Sequence, residues 1–128
     1  MIDFSKNPVF CLSESTLERS LGAQDCQKSL LIGGEEILKV FSGGRDCVVF
    51  TNKRIIAVNV QGLTGSKKDY TSLPLSKIQA FSVESAGTFD RDAELELWFS
   101  GLGKVKFEFT KGTNITEISR IIAFYTIK

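Results

Sequence analysis

The chain has 128 residues, 42% of them hydrophobic, with ten Phe and no His, and its basic residues outnumber its acidic ones by 16 to 15. That is material for one domain with one core, built without metals or disulfides, and it lacks the overall basic field that nucleic-acid binders carry. The absence of histidine removes the commonest general base, nucleophile activator and transition-metal ligand at once.

The N-terminal stretch "MIDFSKNPVFCLSE" has no basic region running into a sustained apolar one, which argues against a signal peptide. No segment approaches the ~20 apolar residues of a membrane span. Cys11, Cys26 and Cys47 are odd in number and form no CxxC pair, which disfavours a disulfide framework or a zinc knuckle. Cys47, inside "CVVF", reads as a buried small hydrophobe. A reduced, cytoplasmic protein is expected. Ser15 and Glu18 have the spacing of a capping box opening a short helix, and "AQDCQKSLLI" keeps a helical composition until Gly33 and Gly34 end it. Residues 1–32 are thus expected to form a helical N-terminal arm, and residues 33–128 the main body.

From Glu35 onward the pattern changes to short β-runs separated by turn residues: "EILKVFS", "DCVVFT", "RIIAVNV", "YTSLPLS", "IQAFSVESA", "AELELWFS" and "KVKFEFT". Seven strands at this spacing predict an all-β barrel or sandwich of antiparallel neighbours. Pro74 lacks an N–H for a ladder and places its strand at an edge or a bulge. In the closing segment Asn114 and Glu117 form a second capping box, and Ile115, Ile118, Ile122 and Tyr125 recur on one helical face. This terminal helix needs an apolar surface to cover, such as the open end of a barrel.

Asp90, Asp92, Glu94 and Glu96 place four carboxylates within seven residues, and from Glu84 to Glu96 five acids face one base, Arg91. Side chains alternate along a strand, so these even-numbered acids share a face opposite Leu95, Leu97 and Phe99. The next strand repeats the division, with Val105, Phe107 and Phe109 odd and Lys104, Lys106 and Glu108 even. A three-residue hairpin loop, Gly101–Gly103 with Gly103 left-handed, brings the apolar sets together. It predicts that residue 98 faces 106 and 97 faces 107, with Glu96 opposite Glu108. The acids then form the wet side of a ribbon whose other side is core. A calcium-type reading of Asp90 and Asp92 remains as the competing one, although Leu95 and Gly101 stand where an EF-hand loop needs Gly and Glu.

No catalytic constellation emerges. The loops "SGG", "GLTGS" and "SGLGK" match no phosphate-binding motif, and "GLGK" leads into a strand rather than a helix. No catalytic, cofactor-binding or metal residue is assigned, and a non-enzyme is expected. The basic pairs Lys53–Arg54 and Lys67–Lys68 are the candidates for an anionic lipid or another phosphorylated ligand. Trp98 falls on the acidic, outward face, where it either marks a contact surface or is covered by a barrel bend or the N-terminal arm.

Three stretches, "VVFTNKRIIAV", "QGLTGSKKDYTSLPLSKIQAFSVESAGTFDRDAELELWFSG" and the final capped helix, together resemble the bacterial pleckstrin-homology (PH) domain family, from about Gly34 to the C-terminus. The resemblance implies a PH-like bent seven-stranded antiparallel barrel capped by a C-terminal helix, mainly β overall. It also implies assembly into ring-shaped homo-oligomers, and it brings no established ligand. Lipid-binding PH domains carry a Lys/Arg cluster around the first hairpin loop, whereas "SGGRD" here offers Arg45 alone. The expected function is a non-catalytic self-assembling interaction module whose partners are further copies of itself, with an unidentified protein as a second expected partner. The alternative is a peripheral binder of anionic lipid or a phosphorylated ligand.

Overall fold

The computed structural model describes residues 1–4, 9–84, 93–110 and 112–127. In chain order the elements are β1 (Val9–Ser15), α1 (Leu21–Ser29), β2 (Ile37–Gly43), β3 (Asp46–Thr51), β4 (Arg54–Gln61), β5 (Lys67–Pro74), a 3-10 turn (Leu75–Lys77), β6 (Ile78–Glu84), β7 (Ala93–Phe99), β8 (Gly103–Phe109) and α2 (Ile115–Thr126). The strands form one open sheet in the order β5-β4-β3-β2-β1-β8-β7-β6.

All seven predicted strands are present, and consecutive ones pair antiparallel except across β5 and β6, which lie at the two ends of the sheet. Pro74 sits on terminal strand β5, as its missing N–H requires. An eighth strand, β1, lies in the segment expected to be helical throughout. It pairs antiparallel with β2 and parallel with β8, joining the two halves of the sheet. The strand was hidden by its own irregularity. Val9 pairs with Phe107 and Leu12 with Phe109, so β1 carries one extra residue, and Cys11 takes a left-handed φ of 61° there. A bulge of this kind erases the period-two pattern that reveals a strand.

The capping-box reading of Ser15 and Glu18 is corrected for the same reason. Ser15 ends β1, the chain turns through Thr16–Arg19, and α1 begins only at Leu21. Ser20 caps it, its Oγ accepting the Ala23 N–H at 3.1 Å. The helix ends at Ser29, ahead of the Gly33–Gly34 pair.

The runs in β3 and β4 are apolar without alternation because both faces of that half-sheet are covered. Val48, Phe50, Ile55 and Ala57 face the main core, where Phe41 meets Phe109 edge-on at 4.8 Å and Phe50 at 5.7 Å. Cys47, Val49, Ile56 and Val58 face the other way, under Ala23 and Cys26 of α1. At the ribbon's end of the molecule the sheet is covered on its inner side only, and strict alternation returns: Leu95, Leu97, Val105, Phe107 and Phe109 are fully buried. α2 seals this core by packing on β6, β7 and the 3-10 turn. Asn114 accepts the Glu117 N–H at 3.1 Å, and Ile115, Ile118 and Ile122 are buried as the helical spacing predicts. Each such isoleucine contributes about 1.5–3 kcal/mol by leaving water.

Gly22 marks the closest approach of α1 to the sheet. A Cβ built on it would lie 2.6 Å from the Cys47 Sγ, inside any tolerable contact. Gly22→Ala is therefore expected to destabilise the fold by about 1–2 kcal/mol, overpacking outweighing the helix propensity gained. In urea unfolding, the double variant Gly22→Ala/Cys47→Ala should recover part of that loss, because removing the sulfur opens room for the new methyl. Equal or additive losses would contradict the close-packing account.

Candidate functional site

Three features singled out by the sequence can be placed: the acidic ribbon, the exposed tryptophan and the basic pairs. Asp90 and Asp92 lie outside the described residues. Glu94 and Glu96 point outward from β7 as parity demands, but the hairpin register is one step tighter than expected. Phe99 pairs with Gly103, so Trp98 faces Lys104, Glu96 faces Lys106 and Glu94 faces Glu108. The loop is Ser100–Leu102, with Gly101 and Gly103 both left-handed at φ values of 85° and 90°. The paired numbers still have even sums, so the division into wet and dry faces survives the shift. The like-charge pair also moves, from Glu96/Glu108 to Glu94/Glu108. Lys106 bridges it, its Nζ lying 3.2 Å from Glu94 and 3.3 Å from Glu108. Those two carboxylates hold its ammonium above the ordinary lysine value. Among the described residues no group of three or more Asp, Glu, Cys or His side chains is placed to hold a metal ion.

Trp98 is 47% exposed. With Leu102, Lys104 and Lys106 it lines one side of a groove of about 660 Å³, and Met1–Phe4 forms the other side. The N-terminal residues therefore approach the indole without covering it. Phe4 itself turns into the core, 6.0 Å from Phe107.

The basic residues do not make one patch. Arg54 pairs with Pro74 at one end of the β4–β5 ladder and Gln61 with Lys67 at the other. The seven intervening steps separate Lys53–Arg54 from Lys67 by about 23 Å. Lys53, Lys67 and Lys68 are exposed, and Arg54 is half-buried. Lys68 contacts Asp25 of α1 at 3.1 Å. Around this contact Arg19, Arg45 and Lys68 line a groove of about 390 Å³ beside the start of α1. Arg45 donates there to the Gly62 carbonyl at 2.7 Å.

Arg54 is held by Glu35, a residue that no sequence pattern marked. Its Nε donates to Glu35 Oε2 at 2.9 Å and its Nη2 to Oε1 at 3.0 Å; Nη2 also reaches the Leu30 carbonyl behind α1, and Nη1 donates to Ser72 Oγ at 3.2 Å. Glu35, whose side chain is fully buried, further accepts the Thr51 hydroxyl at 2.7 Å and the Ile32 N–H at 3.1 Å. This pair ties α1, the β3–β4 turn and β5 together. Burial pushes the Glu35 carboxyl up, and the bonds from Arg54, Thr51 and Ile32 together more than offset that, leaving it below its ordinary value. The two buried thiols are held in the protonated form: burial pushes Cys26 up to about 12 and raises Cys47 as well.

A carboxylate whose affinity for protons falls on folding stabilises the fold above its unfolded value and loses that contribution as pH drops through the folded one. Stability followed by urea unfolding should therefore decline as pH falls below the ordinary carboxylate range, and Glu35→Gln should flatten that decline. At neutral pH Glu35→Ala should cost about 3–5 kcal/mol, because it leaves a mostly buried guanidinium unpaired. A loss below 1 kcal/mol would show that the clamp contributes little.

Comparison with known proteins agrees with the topology. The chain is 44% identical over 96 residues to the uncharacterized protein YjqA of Bacillus subtilis, covering 73% of this chain and 77% of that one. It resembles the crystal structure of a DUF1696 family protein with a pleckstrin-homology domain from Shewanella loihica, at a TM-score of 0.78 and 39% identity over 91% of this chain and 98% of that one. A pleckstrin homology domain from Shewanella amazonensis matches at a TM-score of 0.65 and 41% identity, covering 87% and 91% of the two chains. The model of the bacterial PH domain matches residues 9–126, and the chain belongs to that family.

Proposed function

We propose that this PH-type domain is a non-catalytic interaction module that assembles with copies of itself into a closed ring. The observation that carries the reading is the half-exposed Trp98, set beside Leu102 and the groove it lines. Aromatic side chains with one wet and one dry side are favoured anchors in protein contacts. The surface is also polarised. The outward face of β7 and β8 bears Glu94, Glu96 and Glu108 against Lys104 and Lys106, an excess of one acid, while Lys53 and Lys67 are exposed elsewhere. Opposite charges on different faces suit a head-to-tail contact, which closes into a ring rather than a two-fold pair. The family resemblance points the same way, and PH domains are generally non-catalytic.

The anionic-ligand reading finds one place of its own, the groove where Arg19, Arg45 and Lys68 converge. Lys68 and Arg45 already have partners there, Asp25 and the Gly62 carbonyl, so a phosphate would compete with internal contacts. The pairs Lys53–Arg54 and Lys67–Lys68 lie at opposite ends of the β4–β5 ladder and make no common site. Self-association is therefore the better-supported function.

Light scattering coupled to size exclusion is expected to give a mass several times that of the chain, and Trp98→Glu should reduce it towards one chain with unchanged circular dichroism. A wild-type monomer would overturn the proposal. In a parallel assay, anionic vesicles should fail to pellet the protein. Pelleting that is lost in salt and abolished by Arg19→Glu/Lys68→Glu would instead assign the domain to a phosphorylated ligand.

A further inference from the structure

We infer that the free edge of β6 is a docking site for an extended basic segment of another protein, which joins the sheet as an added antiparallel strand. This goes beyond self-association and does not depend on it.

The two ends of the open sheet are not alike. Strand β5 is blunted: it carries exposed Lys67 and Lys68 and ends at Pro74. The N-terminal residues also cross it, with the Met1 ammonium 2.8 Å from Asp69 and the Ile2 N–H donating to Thr71 Oγ1 at 3.2 Å. Lysines, proline and a covering segment are the usual defences of a terminal strand. Strand β6, "IQAFSVE", has no lysine or proline within it, and its one irregularity is the register shift between Ile78 and Ala80, at the end away from Glu84. Ile78, Phe81 and Val83 favour extended backbone and pack on the core, and the single charge, Glu84, is exposed without a counter-ion among the described residues. Among the described residues its backbone groups on the side away from β7 are paired with no strand.

The neighbouring rows say what would fit. On the outer face Glu84 stands beside Glu94, which stands beside Glu108, so three carboxylates run across three strands with only Lys106 between the last two. Ser82 stands beside Glu96, and Ala80 beside Trp98. An antiparallel strand sets one of its residues opposite each of these, on the same face. A Lys or Arg opposite Glu84 would offset the end of the acidic row. A polar residue suits Ser82, and an apolar one suits the space over Ala80, one strand from the indole. The two intervening residues fall opposite half-buried Val83 and Phe81 and should be apolar, with α2 packed on that side of β6. The segment read out is thus basic–apolar–polar–apolar–apolar.

A second copy fits the edge less well. Its β5 is blunted, and a two-fold antiparallel pairing of β6 with β6 centred on Ser82 would set each Glu84 opposite Ala80 rather than a basic residue.

Fluorescence anisotropy with a labelled peptide, Gly-Lys-Val-Ser-Val-Leu-Gly, tests the inference on the full chain. Saturable binding is expected. N-methylating one of the two alternate sets of peptide amides should abolish it, since only one set faces the edge. Glu84→Lys should weaken binding about five-fold, and a peptide with Glu in place of its Lys should recover affinity for that variant. Absence of saturable binding, indifference to both methylation patterns, or indifference to Glu84→Lys would overturn the inference. If the peptide never binds and Glu84→Lys instead changes the mass of the free protein, the edge belongs to a second copy and the inference also fails. The mass of the wild-type chain separately decides the self-association reading.

Discussion

The architecture depends on β1 lying between β2 and β8. Without it the strands fall into two groups, β2–β5 and β6–β8, that share a core but no ladder. With it the two groups are one sheet, joined by an antiparallel pairing on one side and a parallel one on the other. The joint also aligns the wall that α1 covers with the ribbon whose outer face is wet. A parallel pair between strands so distant in sequence carries a high loop-closure cost, so its formation belongs with closure of the whole core rather than with any local hairpin. Leu12, fully buried at the centre of the joint, ties the strand to that core, and its carbonyl accepts the Thr110 N–H at 2.8 Å where β8 ends.

Local pattern made most of the body legible. The parity of residues 93–109 separates core from water correctly, and it does so even though the register is one step off. Both registers have even sums, so both satisfy the hydrophobic faces, and the choice between them falls to the two left-handed glycines of the loop. That is a backbone preference which residue alternation does not encode. The same limit accounts for β1: its strand character comes from partners far away in the chain and is interrupted by a bulge at Cys11. The helix start at Leu21 rather than after Ser15 follows, since a residue paired in a sheet cannot also cap a helix. The Asn114 cap before α2, with no competing strand, reads correctly, while the Glu117 carboxylate reaches Lys39.

The candidate ligand residues were less legible, for an electrostatic reason. A basic residue in a turn has the same appearance in sequence whether it faces water or a buried carboxylate. Arg54 is distinguished only by Glu35, which reaches it from a loop nineteen positions away, and Lys68 only by Asp25 on α1. Both partners come from the segment that covers the outer face of β3 and β4. Once α1 is docked, Arg54 has become internal bracing and Lys68 is held at the surface by Asp25. Guanidinium suits that role because its planar fork serves one carboxylate with two bonds and still has donors for Leu30 and Ser72.

The distribution of cover then explains where this small domain has surface to offer. α1 and its Arg54 clamp occupy the outer side of one half-sheet, α2 closes the core, and the N-terminal residues lie against β5. What remains among the described residues is the outward face of β6–β8, bordered at Trp98 by Met1–Phe4. On that face Trp98 keeps 47% of its surface in water while every odd-numbered neighbour on β7 is buried, and the adjacent edge has no lysine or proline. An indole left there loses hydrophobic stabilisation that an inward position would supply, and an undefended edge invites aggregation. Both liabilities on a single face, in a fold that blunts its opposite edge, are coherent if that face is where the domain meets other protein.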